Sequence, residues 1–128
     1  MALHATILYA GIFGLMYLYL SADVSKLRVR YQVALGHGGH IDLLKAIRIQ
    51  GNFGEYVPFI LFLFFLSELI GGRSWMLYTL GGILLIGRVL HIIGLRKAEN
   101  PFVYRFSGII LTWTVLLVLS VFCFVSAL

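Results

Sequence analysis

One cysteine, two prolines and five acidic residues are all that this 128-residue chain holds of those types. Each scarcity excludes something. Cys123 has no partner within the chain, so no intrachain disulfide framework exists, and its place in an apolar run reads as a small buried hydrophobe. The four histidines are His4, His37, His40 and His91. None has a cysteine or carboxylate at ligand spacing, so no metal site is expected. Charged residues make up 12% of the chain, about half the roughly 25% of soluble domains. Met1–Thr6 contains no Lys or Arg. The first apolar run is also too long for a removable signal peptide, so it reads as a retained span. No linker or low-complexity run interrupts the chain, which reads as one domain.

What remains is apolar. Hydrophobic residues are 61% of the sequence, and four runs, about 3–21, 50–70, 74–95 and 106–127, reach the roughly 20 residues needed to cross a bilayer. Hydrocarbon offers backbone groups no outside partner, and barrel strands would alternate instead of running continuously apolar. The fold class is therefore all-α: an integral membrane four-helix bundle, with helices over about 3–35, 42–70, 74–95 and 103–127. "GHGGH" at 36–40 closes the first helix, Asp42 is a candidate cap for the second, and Pro58 predicts a kink or opening. Gly81, Gly82, Gly87 and Gly94 let the third helix approach its neighbours. "KAENP" at 97–101 forms the third connection.

The net charge of +5 would suit nucleic acid, but its placement points to topology. Lys26, Arg28, Arg30, Lys45 and Arg48 flank the first connection, and Arg88, Arg96, Lys97 and Arg105 flank the third, against Arg73 alone at the second. This asymmetry puts connections one and three in the cytoplasm and both termini outside.

Charges inside an apolar run carry the functional question. "RIQGNFGEYVP" at 48–58 opens the second helix. Arg48, Asn52 and Glu55 fall at i, i+4 and i+7 on one face, with Tyr56 at its shoulder. Gln50 points nearly the other way and needs a partner elsewhere. On the third helix Arg88 and His91 share a face, and Arg28 and Arg105 lie at similar depth. Arg28, Arg30, Arg96 and Lys97 are also what snorkelling topology anchors would look like, and Arg48–Glu55 could be a plain ion pair. Yet Arg28, Arg48, Arg88 and Arg105 outnumber Glu55 near one depth. Such an excess calls for an anion, which a carboxylate-bearing ligand would supply.

The spacing Arg-x-Gln-x-Asn-x-x-Glu-Tyr-x-Pro resembles the signature of the MAPEG family, membrane-associated proteins in eicosanoid and glutathione metabolism. "GRVLHIIG" at 87–94 and "RFSG" at 105–108 extend the likeness over the whole chain, which is most similar to the small bacterial branch. The resemblance implies a homotrimer with a glutathione site between subunits, open to the cytoplasmic side. It implies glutathione-binding roles for Arg28, Arg48, Gln50, Asn52, Glu55, Tyr56, Arg88 and His91. It assigns Arg105 the catalytic role of stabilising the thiolate. Glutathione would be the co-substrate, and a hydrophobic small-molecule electrophile would arrive through the lipid. His91 and Leu95 stand where several synthases of the family have tyrosines, a departure from eicosanoid synthesis. Two other readings remain: a non-catalytic lipid- or glutathione-binding scaffold, and a small exporter of hydrophobic cations using Glu55 or Glu68.

Overall fold

A computed structural model describes residues 2–97 and 101–128. Four helices follow one another: α1 over His4–Tyr31, α2 over Ile41–Leu69, α3 over Ser74–Arg96 and α4 over Pro101–Ser126. All four are long and apolar enough to cross a membrane, as composition required.

Their lengths follow from their ends. The 28 residues of α1 would extend about 42 Å at 1.5 Å per residue, longer than the roughly 30 Å hydrocarbon layer of a bilayer. It stops at Tyr31, four residues short of the expected end. Gln32 turns left-handed with φ 56°, its N–H bonding back to the carbonyls of Arg28 and Val29. Arg28 then donates to the carbonyl oxygens of Gly36 at 2.8 Å and Val33 at 3.3 Å, filling acceptors that a continued helix would have used. Asp42 is not the cap of α2, since His40 occupies that position. Asp42 lies in the first turn, where its carboxylate accepts from the Leu43 N–H and the Tyr31 O–H and complements the helix dipole. Tyr31 stacks on His40 with ring centroids 3.7 Å apart, so aromatic and polar contacts together tie the α1–α2 connection.

Of the kink or opening expected at Pro58, the opening does not occur. Helix α2 is continuous from Ile41 to Leu69 with Pro58 inside it, a tolerance that membrane helices allow when neighbours re-satisfy the freed backbone. The expected third connection falls largely on residues 98–100, outside the described residues.

The core is aromatic and aliphatic: Phe13, Phe53, Phe64, Leu77, Leu84 and Leu119 are among its fully buried members. Tyr9 of α1 lies directly on Gly81 of α3, where any Cβ would fall inside its ring, and its hydroxyl donates to the Tyr78 carbonyl at 2.7 Å. Helices α3 and α4 meet through two glycines. A Cβ at Gly108 would lie 2.5 Å from the Gly87 oxygen and 2.7 Å from the His91 nitrogen. Backbone thus packs on backbone there, as small residues permit in membranes. Outward, rows of large apolar side chains such as Leu15, Phe59, Ile86 and Leu117 are exposed, a surface suited to lipid.

At the end of the bundle that holds the start of α1, Glu68 accepts from the Ala5 N–H at 2.9 Å and the Thr6 N–H at 2.8 Å. A carboxylate of α2 therefore caps the first turn of α1, which has no acidic residue of its own. Cys123 is half-buried, its Sγ 3.3 Å from the Oγ of the buried Ser67.

Candidate functional site

Arg88 is the centre of the half of the bundle nearer the α1–α2 connection. Its side chain is fully buried, as are His91 and Thr112. An arginine at bilayer depth is costly unless its donors are matched, and three helices match them. Nη2 donates to Asn52 Oδ1 on α2 at 2.6 Å and contacts His91 Nδ1 at 3.3 Å. Nη1 donates to Thr112 Oγ1 on α4 at 3.3 Å, and Thr112 passes its own proton to the Gly108 carbonyl at 2.8 Å. The guanidinium carbon lies 5.8 Å from the centre of the Phe53 ring. Only Nε has no partner. The Gly87–Gly108 crossing is what brings Thr112 within reach, because it holds α4 against α3 one turn away.

Beside this cluster Arg48, Asn52, His91, Leu95 and Arg105 line a small cavity of about 80 Å³. Arg105, exposed in a single chain, also borders an apolar recess of about 430 Å³ with Phe102, Phe106 and Ile109. The polar cavity and the apolar recess therefore share one side chain.

The structure brings together Arg48, Asn52, Arg88, His91 and Arg105. Glu55 lies on the same face of α2 as Arg48 and Asn52. A Cβ at the intervening Gly51 would be 3.9 Å from both Arg48 Nη1 and Glu55 Oε1, but the two side chains form no ion pair. Among the described residues the one ion pair is Arg96–Asp23 at 3.0 Å, which links α3 to α1. Tyr56 is half-buried, and its hydroxyl accepts from Trp113 Nε1 of α4 at 3.1 Å. Gln50, facing away from the others as the helical wheel demands, donates to Ser21 Oγ of α1 at 3.1 Å. Within one chain Arg28 is occupied by the carbonyls after α1 and stands apart from the cavity.

Sequence reasoning missed Thr112, Gly108 and Ser21 as members of this network, and it missed the cap made by Glu68. It also left Arg88 undivided from the other arginines, whereas burial separates it from them. The exporter reading loses one candidate carboxylate, since both oxygens of Glu68 are engaged in the α1 cap.

The model of the MAPEG family matches residues 6–125. The inner membrane protein YecN of Escherichia coli strain K12 is 40% identical over 112 residues, which cover 88% of this chain and 84% of that protein. The same protein of Escherichia coli O6:H1 strain CFT073 matches at the same identity and coverage.

Proposed function

The chain belongs to the MAPEG family, and from that membership we propose that it is a glutathione-dependent membrane transferase acting on hydrophobic electrophiles. The observation that carries this reading is the imbalance of charge around the cavity. Arg48 and Arg105 line it and Arg88 is buried behind its Asn52 and His91, while no carboxylate pairs with any of the three among the described residues. Glutathione has two carboxylates for such a cradle and an ammonium for Glu55. Those donors fit it.

A second copy of the chain completes the site in this proposal. Arg48, Glu55 and Arg105 are exposed in a single chain, inside or next to apolar runs, where lipid would be a poor neighbour for charge. A homotrimer covers that face, and Arg28 and Gln50 would then serve a site on the adjoining subunit. The basic connections support a site on the cytoplasmic side. The relative from Escherichia coli is an inner membrane protein, which supports an inner-membrane location here.

The thiol of glutathione supplies the nucleophile, which must ionise to react. Arg105 holds a cation at the junction of the polar cavity and the apolar recess. It favours the thiolate there by opposite charge. The recess of Phe102, Phe106 and Ile109 orients a hydrophobic electrophile against that point and excludes water, so that proximity supplies much of the acceleration. The overall chemistry is a carbon–sulfur bond formed as a leaving group departs, or a peroxide reduced with oxidation of the thiol. Two measurements test it. Calorimetry with glutathione in detergent decides binding, and an exporter predicts none. Turnover of a generic electrophile then separates a transferase from a scaffold that binds without reacting.

A further inference from the structure

A second polar cavity, of about 190 Å³, opens at the end of the bundle that holds the α1–α2 connection. Asp23 and Leu27 of α1, Asp42, Lys45 and Ile49 of α2, and Arg96 of α3 line it. It shares no lining residue with the cavity at Arg48 and Arg105, and on α1 Asp23 and Leu27 lie on the side opposite Ser21 and Arg28. Its charges balance: two carboxylates and two cations. Asp23 Oδ2 accepts from Arg96 Nη2 at 3.0 Å, while Oδ1 has no protein partner among the described residues. Asp42 accepts from the Leu43 N–H and the Tyr31 O–H, neither of them a cation. Lys45 pairs with no carboxylate among the described residues, and the side chains of Arg96 and Asp23 stay 39% and 31% exposed. A simple anion or cation entering here would meet as many like charges as opposite ones, which counts against it. No group of three metal-ligating side chains exists among the described residues. A zwitterion answers both signs.

Depth and shape narrow the zwitterion to a lipid. Asp23 stands just past the apolar run that ends at residue 21, Arg96 is the last residue of α3, and Asp42 and Lys45 lie in the first turns of α2. The four charges are therefore at the level where headgroups lie. From the cavity a seam runs back between α1 and α3, which are fastened at its two ends by Asp23 on Arg96 and by Tyr9 on Gly81. Between these points Ile12, Met16 and Tyr19 follow one line of α1, and Leu85, Val89 and Ile92 follow one line of α3. All six are half-buried or exposed in a single chain. We propose that the cavity seats the headgroup of an ethanolamine phospholipid, with its ammonium on Asp23 and Asp42, its phosphate on Lys45 and Arg96, and one acyl chain along the α1–α3 seam. An ethanolamine ammonium brings three N–H donors to the carboxylates. A choline brings none, and a glycerol headgroup brings no positive charge. This site is independent of the transferase reading.

Native mass spectrometry of the delipidated full chain in detergent tests it with dioleoyl phosphatidylethanolamine, phosphatidylcholine and phosphatidylglycerol. The ethanolamine lipid should bind roughly 10-fold more tightly than either of the others, the worth of one hydrogen bond to a charged group. Lys45→Ala leaves the Asp23–Arg96 pair untouched and should weaken it by about 2- to 5-fold, as a partly exposed ion pair does. Asp23→Asn keeps an acceptor for Arg96 and removes the charge, so it should erase the preference for ethanolamine over choline. Asp42→Asn should reduce the same preference and serves if Asp23→Asn fails to fold. Equal binding of the three lipids, tightest binding of phosphatidylglycerol, or a preference that survives both aspartate variants overturns the proposal. Soluble phosphoethanolamine that displaces the lipid at equal concentration overturns the lipid as occupant. Glutathione affinity should be unchanged in Asp23→Asn, and a parallel fall would assign the cavity to the glutathione site and overturn the proposal. A chain that ignores glutathione yet selects the ethanolamine lipid keeps this proposal and loses the transferase reading.

Discussion

Replacing Gly108 by alanine puts one methyl group between two backbones. Its Cβ would lie 2.5 Å from the Gly87 carbonyl oxygen, 2.7 Å from the His91 nitrogen and 3.0 Å from the His91 Cα. None of these is a side-chain end that could swing aside. An ordinary carbon–oxygen approach is about 3.3–3.6 Å, so α3 and α4 must part by about 0.8 Å or more. Overpacking of this kind costs about 1–3 kcal/mol. The Arg88–Thr112 bond, already 3.3 Å long, cannot survive such a displacement, so a buried guanidinium loses one of its three partners. Thermal unfolding in detergent should show the midpoint falling by several degrees, and glutathione affinity should fall with it because Asn52 and His91 are held through Arg88. Gly82→Ala is the control. Its Cβ would meet only the Tyr9 hydroxyl, at 3.9 Å, and alanine is the better helix former by about 1 kcal/mol, so that variant should be as stable as the parent or more so. A Gly108→Ala protein with an unchanged or higher midpoint would refute the backbone-on-backbone crossing and the positioning argument built on it.

Arg48→Ala and Glu55→Gln should each weaken glutathione by about 2–5 kcal/mol, roughly thirtyfold upward, with the oligomer intact; equal affinity in both variants takes them out of the site, and loss of the oligomer makes them structural. Arg105→Ala should leave affinity within a few-fold while raising the bound thiol toward its free pKa of about 8.5. Ultraviolet absorbance of the thiolate between pH 5 and 10 follows the change. The sign is that thiolate present at neutral pH in the parent is lost in the variant and returns only at higher pH, and superimposable titrations would mark Arg105 as an interfacial anchor. A thiol tag after Gly38 should be reached only from the cytoplasm and one at Gly72 only from outside; the opposite labelling reverses the topology and moves the site to the other face.

Much of the fold is legible because each span announces itself by length and composition, and the polar face of α2 follows from helical spacing alone. Gln50 shows how far this reaches: a wheel gives its direction, opposite to Arg48 and Asn52, but only packing identifies Ser21 as its partner. Thr112 shows where it stops. Thr79, Thr112 and Thr114 all return a hydrogen bond to the carbonyl four residues earlier, a habit of threonine in helices. Nothing in the sequence marks the one whose oxygen also faces an arginine. The same holds for the end of α1. Residues 32–35 continue its amphipathic pattern, and the helix stops because Arg28 engages carbonyls of the following loop, a tertiary event invisible to periodicity. Glu68, read as an outer-end carboxylate, is tied to amides more than sixty positions away.

Three polar contacts that close α1 against α2, Glu68 on the amides of Ala5 and Thr6, Gln50 on Ser21 and the Tyr31–Asp42 bond, lie wholly within the first 72 residues. An order of assembly follows. A nascent chain that has emerged only as far as Gly72 already contains these fastenings of its first hairpin, and Glu68 waits for no later helix. Arg88 is different, because its partners Asn52 and Thr112 come one before it and one after it in synthesis. Carrying an arginine to the middle of a bilayer costs about 2.5–3.5 kcal/mol on insertion scales. When α3 enters, Asn52 stands on a hairpin already formed and can receive that guanidinium, whereas Thr112 has yet to be made. The first hairpin is thus the template for the third helix, and α4 arrives last to complete the enclosure of a charge that its predecessors have already accepted.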